Sequence, residues 1–186
     1  MAAATRRKAP ARRTRTHALP ARNPWLDVGD HGRGLHIGHF LTFQIIRLAN
    51  AIKSNVTRQY LSDFGLSVPE WRLLAMTMRF EPVRFSELVA NSSMDKGQAS
   101  RTLQTMTGKG LIATRATRGT RRTSDAVSPV ILSVTPKGRK LYQQVLPVAQ
   151  RNQARLLHML SRDERKVLYS VLNKLFAAIG SQDKLT

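Results

Sequence analysis

Residues 85–110 hold two short helix-forming stretches separated by a cluster of helix breakers, a pattern that few folds accommodate. Glu87, Leu88, Val89 and Ala90 favour a helix, with Ser86 as the expected N-cap. Asn91, Ser92 and Ser93 then compete for backbone hydrogen bonds and end it. A second helix is expected from about Asp95, whose carboxylate suits the positive end of the helix dipole. Ala99, Leu103 and Met106 are spaced to form one narrow inward stripe. Lys96, Gln98, Ser100, Arg101 and Gln104 occupy the other face, with no acid after Asp95. Gly108 and Gly110 close the helix, with Lys109 at its negative end. This is a helix-turn-helix pattern whose second helix is polar, basic and short enough for a DNA major groove. Arg101 and Gln98 are residue types that make paired hydrogen bonds to guanine and adenine. The alternative is a solvated face on an ordinary surface helix.

Charge narrows the choice of partner. Lys and Arg number 31 against 11 Asp and Glu among 186 residues, a formal net charge of +20 that points to a polyanion, nucleic acid first. No long uncharged apolar run is present, so a membrane partner is not expected. The chain has no cysteine, which excludes disulfides, thiolate metal sites and cysteine-based redox sensing. The N-terminus lacks the apolar core of a secretory signal, and a cytoplasmic location is expected. No nucleophile–base pair, phosphate-binding glycine loop or convincing metal cluster is visible, so neither an enzyme nor a cofactor is expected.

The flanking sequence is organised around the central motif. Residues 1–24 form a basic, proline-punctuated arm with Arg6, Arg7, Lys8, Arg12, Arg13, Arg15 and Arg22, expected to be disordered. An organelle transit peptide has a similar composition, but a DNA-seeking tail is the preferred reading. Residues 23–34 read as a loop around Trp25; together with the arm they make an N-terminal region of residues 1–34. His31, His36 and His39, near Asp27 and Asp30, fit no standard metal spacing and read as solvated histidines. Residues 38–64 form one amphipathic helix, about 40 Å long at ~1.5 Å per residue, apolar over more than one face. Ser67 and Glu70 form a capping box around Pro69, and the helix they open runs to about Phe80 before Pro82. Val83 and Arg84 could form a short strand. Residues 111–135 alternate like a β-hairpin, with Arg118, Arg121 and Arg122 in the long polar loop at residues 117–129. A hairpin with a basic tip directly after a helix-turn-helix is a wing, suited to phosphate or minor-groove contact. Thr135 and Pro136 open a helix reaching about Leu160, with a kink expected at Pro147. Ser161 and Glu164 open the last helix, whose broad apolar stripe ends near Gly180.

This order resembles the MarR (multiple antibiotic resistance regulator) family of bacterial transcription factors over residues 37–179. The resemblance is carried by LSVPEWRLLA, MDKGQASRTLQTMTGKGLIATR, LSVTPKGRKLY and LSRDERKVL. It implies a mainly α fold with a small β-hairpin wing: a winged helix-turn-helix with a helical dimerisation region. The domain would span residues 35–180, with a DNA-binding lobe at about 67–135, dimerisation helices at about 38–64 and 136–179, and a tail at 181–186. It implies a homodimer on a pseudo-palindromic operator in double-stranded DNA. Lys96, Gly97, Gln98, Ser100, Arg101 and Gln104 would face the groove, and Arg118, Arg121 and Arg122 would serve the wing. The wing departs from the family, which usually carries an Asp-x-Arg or Asp-Arg-Arg run there. Many members are repressors released by a small aromatic or phenolic compound. Here that region would draw on Phe40, Phe43, Trp71 and Arg72, with Trp71 against a ring and Arg72 on a carboxylate. Core packing and a structural ion pair are the alternative for these residues. Urate is not expected, because urate-responsive members carry an acid where Arg72 stands. The other function class is a non-specific nucleoid-associated or RNA-binding basic protein, which would use the charge without reading bases.

Overall fold

The computed structural model describes residues 23–92, 94–116 and 130–180. By their contacts the residues group into two compact units, 1–48 and 49–186.

In the first unit, a short 3-10 turn at Ile37–His39 precedes helix α1, Leu41–Ile52, which continues past the unit boundary. Trp25 is tied down locally, its indole N–H donating to the His39 carbonyl at 2.6 Å. The Gln44 side-chain amide donates to the Gly38 carbonyl. The α1 side chains Leu41, Phe43, Ile45, Ile46 and Leu48 are exposed.

The single helix expected over residues 38–64 runs without a break from Leu41 to Ser62, with a π turn inside it. After α1 comes a π-helical turn, Lys53–Thr57, and then α2, Arg58–Ser62. A π turn widens the helix by one residue and changes which side chains face inward. Beyond it Tyr60 and Leu61 are buried.

The second unit is built around α3, Val68–Phe80. Ser67 and Glu70 form the expected capping box: the Ser67 N–H donates to Glu70 Oε2 at 2.6 Å, and the Glu70 N–H donates to Ser67 Oγ at 3.4 Å. Glu70, Leu73, Leu74 and Thr77 are the buried residues of α3, one face at helical spacing. Around α3 pack α4 (Phe85–Ser92), α5 (Lys96–Gly108), strand β3 (Val130–Val134) and α6 (Pro136–His158). Helix α4 begins at Phe85, so Ser86 lies inside it rather than capping it, and it continues through Ser92. Strands β1 (Val83–Arg84) and β2 (Ile112–Ala116) flank β3 in an antiparallel sheet of order β1-β3-β2, with Val83 opposite Leu132 and Thr114 opposite the same residue.

Helix α6 enters through Thr135, whose Oγ1 accepts the Gly138 N–H at 3.0 Å. Pro147 is accommodated within its unbroken span. Helix α7, Arg162–Gly180, opens with the expected capping box between Ser161 and Glu164. None of the described side chains of α7 is buried, and Tyr169 and Phe176 are 73% and 72% exposed.

Candidate nucleic-acid interface

The turn between α4 and α5 is closed by short-range bonds. Ser92 Oγ donates to the Val89 carbonyl at 3.0 Å and accepts the Met94 N–H at 3.3 Å. Met94 is buried just before the cap of α5, and Ala99 is buried at the fourth helical position, the two places of a hydrophobic staple. Asp95 caps α5 by accepting the Gln98 N–H at 2.8 Å. These features fix the turn and the first turn of α5 locally.

Three α5 side chains are buried: Ala99, Thr102 and Met106. Thr102 joins the expected inner stripe, beside Leu103, which is partly buried and packs against the core. The hydroxyl makes this possible, because Thr102 Oγ1 donates to the Gln98 carbonyl at 2.8 Å and enters the core satisfied. With the inner face so defined, helical geometry places Gly97, Ser100, Arg101 and Gln104 on the outward side. Gly97, Arg101 and Gln104 are exposed, and Ser100 is half-buried. Gln98 and Lys96 sit on opposite flanks. Gln98 is half-buried and shares a depression of about 340 Å³ with Ser67, Pro69, Glu70, Arg101, Thr102 and Thr105. Lys96 is exposed.

The far end of α5 is held by an ion pair across the core. Lys109 Nζ reaches Glu70 Oε1 at 2.5 Å and the Gly65 carbonyl at 3.0 Å. Burial raises the Glu70 pKa, but the hydrogen bond from Lys109, with those from Ser67 and the Lys109 charge, outweighs it, and the net shift is downward. Lys109 therefore fixes α5 on α3. Gly110 then turns the chain with φ of +67°, a conformation suited to glycine, and β2 starts the wing.

Arg118, Arg121 and Arg122 lie outside the described residues. Arg115, which the expected set omits, is exposed on β2. The alternation of Ile112 and Thr114 with Ala113 and Arg115 was the signal that could have found it. The wing's base is fixed by Glu81, which accepts the Val134 N–H at 2.7 Å and pairs with Arg139 at 2.6 Å.

The other expected site residues are placed as follows. Trp71 is partly buried and stacks on Tyr142, ring centroids 5.5 Å apart and planes 22° from parallel. Arg72 is exposed. Phe40 and Phe43, in the first unit, are exposed, and the Arg47 guanidinium lies 6.0 Å from the Phe43 ring. Among the described residues no group of three or more His, Cys, Asp or Glu is arranged to hold a metal ion. None of their helices is long and apolar enough to cross a membrane.

Residues 64–123, a range that takes in α3, the helix-turn-helix and β2, match the model of the MarR family. The fold is that of the MarR family. A MarR/EmrR family transcriptional regulator from Acinetobacter sp. ADP1 superimposes with a TM-score of 0.67 at 22% identity, over 79% of this chain and 99% of that one. The Bordetella bronchiseptica regulator whose DNA binding is regulated by 6-hydroxynicotinic acid gives 0.62 at 19% identity, over 72% and 97%. A Mycobacterium tuberculosis MarR family protein in complex with p-aminosalicylic acid gives 0.56 at 22% identity, over 73% and 97%. No curated protein matches the sequence significantly. In this winged helix-turn-helix fold, α5 is the second helix of the helix-turn-helix and the paired strands β2 and β3 belong to the wing.

Proposed function

We propose that the protein is a sequence-specific DNA-binding transcriptional regulator acting as a homodimer. The observation that carries this reading is the outward face of α5. It is polar and basic, lacks any acid after the cap, and is held rigid at both ends by Asp95 and Lys109. Arg101 and Gln104 read base edges, and Lys96 meets the backbone. Gln98, from its flank, reaches a base or phosphate beside the N-terminus of α3. The wing adds Arg115 and the arginines at 118, 121 and 122. The exposed apolar side chains of α7 support the homodimer, since a 19-residue helix without a buried side chain needs a covering partner.

Selection from random duplexes tests the reading. Wild type should enrich a pseudo-palindrome with half-sites about 10 base pairs apart. Arg101→Ala should lose ~1–3 kcal/mol on it and relax one position per half-site. Equal binding to all duplexes would instead favour the nucleoid-protein reading, which the net charge of +20 supports.

We also propose release by a small aromatic acid, because one protein of the same fold is seen in complex with p-aminosalicylic acid and another has its DNA binding regulated by 6-hydroxynicotinic acid. Trp71 and Arg72 are the residues assigned to its ring and carboxylate. Salicylate added to the protein–operator complex should release DNA from wild type and fail to do so from Arg72→Ala. Retained DNA with wild type over a panel of aromatic acids would sink this part alone.

A further inference from the structure

The first turn of the recognition helix contains a glycine where helix propensity favours almost any other residue. Gly97 is exposed, and its backbone has ordinary helical geometry, so conformation does not require glycine. Space does. A Cβ built at Gly97 would lie 3.3 Å from Asp95 Oδ1 and 3.4 Å from Arg101 Nη1. Asp95 cannot easily retreat, since that oxygen accepts the Gln98 N–H at 2.8 Å. The Arg101 side chain therefore folds back along α5, in the direction helical side chains favour, and sets its guanidinium over the bare Cα one turn earlier.

We infer that Gly97 is a positioning residue: the missing side chain is the space in which Arg101 presents its guanidinium beside the N-terminus of α5. The inference rests on the DNA-reading function proposed above and names what fixes its specificity. Recognition helices contact bases mainly through their N-terminal residues. Arg101 lies a turn beyond the start of α5, and the fold-back beside Gly97 brings its charge toward the first turn. The nearby Asp95 carboxylate favours the same placement. A side chain at residue 97 would push the guanidinium outward and away from the cap.

The test is a double-mutant cycle on the enriched operator, with Gly97→Ala, Gly97→Gln and each combined with Arg101→Ala. Gly97→Gln should lower operator affinity by about tenfold and flatten preference at the base position that Arg101→Ala relaxes. Gly97→Ala should act in the same direction and less strongly. Both should melt at or above the wild-type temperature, because a better helix former replaces glycine. In the Arg101→Ala background, Gly97→Gln should cost less than about twofold more. Unchanged preference in Gly97→Gln would overturn the inference. So would a full further loss without Arg101, since the new side chain would then be striking DNA itself. Absence of any wild-type preference would instead remove the DNA-reading function, and the inference with it.

Discussion

Gly138→Ala should destabilise the protein, against the sign that helix propensity alone assigns. Gly138 lies in the first turn of α6, where alanine would ordinarily gain about 1 kcal/mol. A Cβ there would lie 2.1 Å from the Leu111 carbonyl oxygen and 2.9 Å from Val134 Cγ1. The obstacle is backbone, so no rotamer change relieves it. Restoring contact to 3.0 Å requires the start of α6 to move by about 1 Å. That motion strains two bonds: Thr135 N–H to the Leu111 carbonyl at 3.1 Å, and Thr135 Oγ1 to the Gly110 carbonyl at 2.7 Å. Overpacking costs ~1–3 kcal/mol and each weakened hydrogen bond up to ~1 kcal/mol, so after the helix gain the net loss is up to about 4 kcal/mol. At ~2–4 °C per kcal/mol for a chain of this size, the melting temperature should fall by up to about 15 °C. Thermal melts followed by far-UV circular dichroism measure it. Gly108→Ala is the control, because nothing lies within 4 Å of its Cβ position; it should be neutral or slightly stabilising. A Gly138→Ala protein melting at or above wild type would refute the steric argument.

Further outcomes follow from the ion pair, the apolar helix and the paired lobes. Lys109→Ala strands the buried Glu70 carboxylate and should cost ~1–3 kcal/mol at neutral pH by urea titration. Because folding lowers the Glu70 pKa, its contribution is present above the ordinary carboxylate value and is lost as pH falls through the folded value. The gap between wild type and Lys109→Ala should therefore close in acid, and a gap independent of pH would show that the pair contributes nothing through ionisation. Leu172→Asp puts a charge on the exposed apolar side of α7 and should halve the sedimenting mass at micromolar concentration. A folded wild-type monomer there would count against the homodimer. Inserting five base pairs between half-sites turns the second onto the opposite DNA face, and undiminished binding would exclude two recognition helices acting together.

The features readable from sequence are those whose physics closes within a turn or two of chain. Asp95, Thr135 and the Ser67–Glu70 and Ser161–Glu164 pairs cap their helices because side chain and target N–H are three residues apart. The hairpin is legible because alternation places Ile112 and Thr114 opposite Val134 and Leu132. Local signals also misplace what tertiary contacts overrule: Ser86 has cap chemistry, yet the helix begins at Phe85, next to the β1 residue Arg84. Thr102 is buried in addition to the apolar stripe, since a helical carbonyl satisfies its hydroxyl. The π turn at Lys53–Thr57 has no signature in the apolar period.

Only the folded chain shows that Glu70 has a second task, since Lys109 lies 39 residues away and no local pattern joins them. The same holds for Glu81, which meets the wing and α6 across 53 and 58 residues, and for Trp71 on Tyr142. Gly97 and Gly138 make the point most sharply. In sequence each is a weak spot in a helix. In the structure Gly138 leaves out a side chain where the Leu111 carbonyl already occupies the space, and Gly97 leaves out one beside the Arg101 guanidinium. Propensity belongs to a residue and its neighbours in the chain, whereas available space is set by segments that meet only once the chain has folded.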